Sequence, residues 1–119
     1  MGEIPALTAD GSAIVHFARR LHRDLGFEKV LLYGAFKREF VAKDYEYRLI
    51  CVSSTFQQVD EFERQYGLHD VYFDVGGNGA LRLICLTPEE FESAKKRITL
   101  VAEVLPEAID LLAEVPTAP

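Results

Sequence analysis

Residues 30–52 read VLLYGAFKREFVAKDYEYRLICV, and the two ends of this stretch share one character. Residues 30–33 are an apolar, β-rich run stopped by Gly34, and residues 47–52 are a second such run. The polar, basic connection between them is too long for a tight hairpin. The pattern predicts two strands joined by a glycine turn and a short irregular or helical piece.

The rest of the chain supplies what such a strand pair needs for a core. With 119 residues and 49% hydrophobic composition, it is expected to form one domain over residues 1–119, with its core at about 30–109. A helix over about 10–25, capped by Thr8 or Asp10, places Ile14, Val15, Phe17, Ala18, Leu21 and Leu25 at helical spacing, and Gly26 is a natural stop. On the polar side of that helix His16, Arg19, Arg20, His22 and Arg23 form the one concentrated basic cluster, best read as a solvated face.

Downstream, a helix from Ser54 or Thr55 to Gly67 is expected, with Val59 and Phe62 facing inward. Residues 71–75 read as a short strand, turned by Gly76-Gly77-Asn78-Gly79 into a hairpin partner at 81–86. A phosphate loop in that glycine tract is disfavoured, because no helix or lysine follows it. Thr87-Pro88-Glu89-Glu90 carries a capping-box signature for a helix lined by Phe91, Ala94, Ile98, Val101 and Ala102. Pro106 must interrupt it. A last helix is expected over 107–114, then a tail at 115–119. The fold class is α/β, with a small mixed sheet from strands at 30, 47, 71 and 81 and flanking helices.

Charge and composition also restrict function. The net charge of −6 argues against nucleic acid as a partner. No run of 18 apolar residues is present, and the opening MGEIPALTADG lacks the basic-then-apolar order of a signal peptide. A cytoplasmic protein with no membrane partner is expected. Cys51 and Cys85 lie in separate apolar runs, outside any metal-ligand spacing, and read as buried free thiols.

Strand, glycine turn, basic segment and returning strand together resemble the active-site stretch of the DNA polymerase beta superfamily of nucleotidyltransferases, in its minimal form. There the turn usually reads Gly-Ser, and the second strand opens with two aspartates one residue apart. Laid on this chain without a gap, Gly34 matches the glycine, Ala35 falls on the serine and Arg38 matches the usual arginine. The aspartate positions fall on Glu46 and Arg48. A register shifted by two would use Asp44 and Glu46, but would start the apolar strand too late. The segment LRLICLTPEEFESAKKR resembles the family's third-carboxylate strand and following helix, with Arg82 at the acidic position.

The resemblance implies a nucleotidyltransferase-like fold with a degenerate centre. Two-metal transfer needs carboxylates holding metal ions about 3.5–4 Å apart, and arginine has no lone pair to offer magnesium. The residues matching the family's acids, Glu46, Arg48 and Arg82, change the formal site charge from about −3 to about +1. No catalytic residue, metal ligand or cofactor is therefore assigned. The expected role is a binding or regulatory protein, with the HEPN-type helical companion that small family members have in two-gene toxin–antitoxin modules, or as a homodimer. One alternative is metal-independent nucleotide or phosphate binding through Gly34, Ala35, Arg38, Arg48 and Arg82. Another is an active magnesium-dependent enzyme drawing its acids from Asp44, Glu46 and Asp74.

One internal echo bears on all of these. Arg-Leu-Ile-Cys occurs at 48–51 and again at 82–85. If both strands start at one sheet edge, two-residue alternation sends Arg48, Arg82, Ile50 and Ile84 to one face and both cysteines to the other.

Overall fold

The computed structural model describes residues 9–33, 35–36, 41–42, 46–77 and 80–114. In chain order the elements are α1 (Ala9–Leu25), β1 (Lys29–Tyr33), β2 (Ala35–Phe36), β3 (Val41–Ala42), β4 (Glu46–Val52), α2 (Leu68–Asp74), β5 (Ala80–Leu86), α3 (Pro88–Lys95), α4 (Leu100–Val104), β6 (Ile109–Asp110) and α5 (Leu111–Glu114). The result is a small α/β domain around a mixed four-stranded sheet of order β5-β4-β1-β6. β1 runs antiparallel to both β4 and β6, whereas β4 and β5 are parallel. β2 and β3 pair as a separate two-stranded ribbon between β1 and β4.

Both faces of the sheet are covered, which explains the near-continuous apolar reading of β4. Leu49 and Cys51 point into a core with Ile14, Phe17, Leu21, Leu68 and Tyr72 from α1 and α2. Ile50 and Val52 point the other way, against Phe91 and Val101 from α3 and α4. The helical spacing of Ile14, Phe17, Ala18 and Leu21 puts all four on one buried stripe. Each large aliphatic side chain buried this way contributes about 1.5–3 kcal/mol. Leu25, counted with that stripe in the sequence, is 41% exposed, because α1 ends there in a turn through Gly26 at φ 75°.

Three expected strands are present at 29–33, 46–52 and 80–86, but the fourth is not the one foreseen. Residues 71–74 belong to α2 and Val75 caps it, so none of the five is in a strand. Leu68 and Tyr72, four apart, are both buried, and Tyr72 meets Phe17 edge-on at 5.4 Å, while Phe73 is 55% exposed. Four-residue spacing outweighed the alternation of Val71, Phe73 and Val75. The glycine tract consequently joins a helix to a parallel strand, and the expected hairpin is absent. Gly77 lies so close to Tyr72 that a Cβ there would overlap the ring. Asn78 and Gly79 lie outside the described residues.

The place of the fourth strand is taken by β6, where Ile109 pairs with Leu32 and Asp110 with Leu31. The helix expected over 107–114 is therefore shortened to α5. Asp110 Oδ1 accepts from the Leu112 backbone N–H at 3.0 Å, a local bond that starts a new helix beyond the strand.

The helix expected from residue 54 to Gly67 is one 3₁₀ turn, Ser54–Phe56, followed by turns. Ser53 Oγ accepts from Thr55 N and Asp60 Oδ1 from Phe62 N, so short polar side chains compete for the backbone donors a helix would need. Phe62, expected inside, is 75% exposed.

The single helix expected through Phe91 and Ala102 is split into α3 and α4. Thr99 joins the two pieces: its hydroxyl donates to the Ala94 carbonyl at 2.8 Å and accepts from Ala102 N at 3.1 Å. Ile98 is thereby turned fully into solvent. At the start of α3 the capping box is complete. Thr87 Oγ1 accepts from Glu90 N at 3.1 Å, and Glu90 Oε1 from Thr87 N at 2.9 Å. Among the described residues, no helix is long and apolar enough to cross a membrane.

Candidate functional site

The repeated tetrapeptide is aligned with itself in space. In the parallel β4–β5 pair, Arg48 faces Arg82, Leu49 faces Leu83, Ile50 faces Ile84 and Cys51 faces Cys85. On the other side of β4, Arg48 faces Tyr33 of β1. Tyr33, Arg48 and Arg82 thus form one row across three strands at a single sheet end. Neighbouring strands are about 4.8 Å apart, so the two guanidinium-bearing side chains leave the sheet side by side. Arg48 is half-buried and Arg82 exposed. All three residues of the row have interaction partners, so none stands idle.

The remaining residues named from sequence fall into two groups. Glu46 opens β4 opposite Ala80, and Ala35 in β2 pairs with Ala42. Gly34, Arg38 and Asp44 lie outside the described residues. Asp74 could share the cleft of Glu46 only through the expected hairpin; that hairpin is absent, and Asp74 ends α2, on the opposite layer from α3 and α4. There its carboxylate accepts from both terminal nitrogens of Arg20 at 3.3 Å. Helix α2 took it away from the arginine row.

The basic side of α1 behaves as a charged surface. Arg20 bridges Asp24 and Asp74, and Arg23 pairs with Asp24 at 2.9 Å. That contact holds the Asp24 carboxyl below its ordinary pKa, chiefly through the Arg23 hydrogen bond. His22 donates from Nδ1 to the Phe27 carbonyl at 2.9 Å, which tethers the turn after the helix.

Arg64 is the residue that sequence reasoning missed. Its side chain is 8% exposed and lies at the outer edge of β5. It donates to the carbonyls of Val59 and Cys85 at 3.0 and 3.2 Å and to both Glu90 oxygens at 2.6 and 3.2 Å. The guanidinium also stands 5.9 Å from the Phe56 ring centroid. The hydrogen bond from Arg64 is the main cause holding the Glu90 carboxyl below the usual glutamate range.

This arrangement guards an edge. The Leu86 carbonyl accepts from Ser53, which follows β4, so by alternation the main-chain groups of Leu81, Leu83 and Cys85 point away from the sheet. Leu81 and Cys85 carbonyls receive His69 Nε2 at 3.1 Å and Arg64 Nη1. Side chains thus occupy positions where another strand would otherwise bond. No local pattern around Arg64 announces this, since its partners come from three separate segments.

Two of the concavities lined by described residues lie beside α3. One, of about 580 Å³, is an open hollow along α3 lined by Pro88, Glu89, Glu92, Ser93, Lys96 and Arg97. The other, about 260 Å³, lies between β1 and α3 and includes Lys29, Phe91, Lys95 and Asp110. Neither includes the arginine row. Among the described residues no group of three His, Cys, Asp or Glu is arranged to hold a metal ion. In comparisons with known proteins, no family model, no curated protein and no solved structure matches this chain.

Proposed function

We propose that the protein is a nucleotidyltransferase-like domain that has lost metal-dependent transfer and acts as a binding or regulatory protein. The observation that supports this reading is the in-register Arg48–Arg82 pair. The resemblance puts metal-holding acids at these positions, and two cations there repel a divalent ion instead of recruiting it. A HEPN-type helical companion, or a second copy of the chain, belongs to the same proposal as the partner regulated. Co-expression with a neighbouring helical protein should give a complex that survives purification.

The same pair favours one ligand class. Guanidinium forks match phosphate oxygens, and Arg82 is exposed enough to reach a nucleotide phosphate while Arg48 backs it from the sheet. Calorimetry with ATP and GTP in excess EDTA tests this reading. Binding should persist without metal and weaken at least about tenfold in Arg82→Met. Absence of heat at millimolar nucleotide ends the phosphate reading. Magnesium-dependent incorporation of labelled nucleotide, abolished by Glu46→Ala, would instead establish an active enzyme.

A further inference from the structure

Cys51 and Cys85 occupy equivalent positions of the two aligned tetrapeptides and pack toward the same core. Both are reduced thiols. A parallel strand spacing of about 4.8 Å falls inside the Cα separation of about 4.4–6.8 Å that disulfides span. The two positions differ in access. Cys51 is completely buried in a central strand, whereas Cys85 is half-buried on the edge strand. The Arg64 guanidinium, already bonded to the Cys85 carbonyl, adds positive charge beside it.

These features divide the chemistry between the two sulfurs. The neighbouring Cys51 thiol and the charge on Arg64 lower the Cys85 pKa against the opposing effect of burial. Cys51, beside the Cys85 sulfur and fully desolvated, has its pKa raised. A less buried sulfur of lowered pKa next to a fully buried thiol partner is the usual arrangement of a sulfur that oxidises first and one that resolves it.

We propose that Cys85 and Cys51 form an intrachain thiol-oxidation site, in which a hydroperoxide oxidises Cys85 and Cys51 then closes a disulfide across β4 and β5. The Cys85 thiolate attacks the peroxide, the O–O bond breaks, and the departing oxygen takes up a proton and leaves as water or an alcohol. Cys85 is then a sulfenic acid. The Cys51 sulfur, giving up its proton, attacks the Cys85 sulfur, the S–O bond breaks and a water leaves. The two thiols lose two electrons and two protons, and the peroxide is reduced by the same two electrons. The strand spacing already accommodates such a bridge, and a dithiol in excess reopens it by exchange.

The test uses the full chain, folded, treated with excess hydrogen peroxide, quenched, and examined by intact mass and thiol titration. The expected result is a monomer lacking both thiols, lighter by about 2 Da and restored by dithiothreitol. In Cys51→Ser the oxidation should stop at a sulfenic acid on Cys85 that dimedone traps. In Cys85→Ser, Cys51 should react at least about tenfold more slowly than Cys85 does in Cys51→Ser. The wild-type measurement stands even if a variant misfolds. Retention of both thiols under peroxide that oxidises an unstructured cysteine peptide would overturn the proposal. So would a gain of about 32 Da with Cys51 still free, or a bridge between chains.

Discussion

β4 and β5 carry the same four residues in the same register, yet they live in different surroundings. In β4, Leu49, Ile50 and Cys51 are all completely buried, whereas in β5 their counterparts Leu83, Ile84 and Cys85 are only partly covered. β4 has a strand on each side and a helical layer on each face; among the described residues β5 has a strand on one side only. Burial here is a property of position in the sheet, and the same apolar side chain contributes less where one flank is open. The outer strand is held instead by tethers: Arg64 and His69 on its carbonyls, and the capping box that turns its end into α3.

The largest expected effect contrasts the two leucines. Leu49→Ala should cost about 3–5 kcal/mol and Leu83→Ala about 1–2 kcal/mol in chemical denaturation, because only the first leaves a cavity closed on all sides. Equal losses would break the comparison and mean that something covers β5 in solution.

Next comes Arg64→Met, which keeps bulk over Phe56 but takes a donor from the Cys85 carbonyl, while the Glu90 carboxylate, 46% exposed, turns to water. A loss of about 1–2 kcal/mol is expected in the same assay at neutral pH. Because Arg64 lowers the Glu90 pKa, the folded state binds fewer protons than the unfolded chain as pH falls through that range. The gap between wild type and variant should therefore be full above the ordinary glutamate value of about 4.3 and shrink as pH drops through the lower folded value. A gap that stays constant to acid pH would remove Glu90 from the tether.

Thr87→Ala should cost about 1 kcal/mol by thermal or urea unfolding, since it removes one half of the capping box at the end of β5. The smallest effect is in the loop that carries Arg64. Gln58 sits at φ 66°, so Gln58→Gly should raise stability by about 0.5 kcal/mol. A loss there would show that the Gln58 side chain itself helps to hold the loop against the edge.

What could be read from the sequence depended on how local its cause was. The strands at 29–33, 46–52 and 80–86, the stripe of α1 and the Thr87 cap follow from residue spacing within one element. α2 was mistaken for a strand because Val71, Phe73 and Val75 alternate, and the signal that outweighed them was Tyr72 reaching Phe17, far away in the chain. β6 was missed because two residues become a strand only when β1 offers them an unpaired edge. At the candidate site the echoed tetrapeptide was visible in the letters. Arg64, whose partners lie at Val59, Cys85 and Glu90, was not.

By itself, then, the sequence determined the strands at 29–33, 46–52 and 80–86, which face of α1 would be buried, and that Arg-Leu-Ile-Cys stands at both 48–51 and 82–85. Only the tertiary structure decided that the two tetrapeptides lie side by side, that Asp74 is removed to the other layer, and that β5 is the open flank. The reason is physical: spacing within an element selects its shape, but which surfaces meet depends on contacts between segments that no single window of sequence contains.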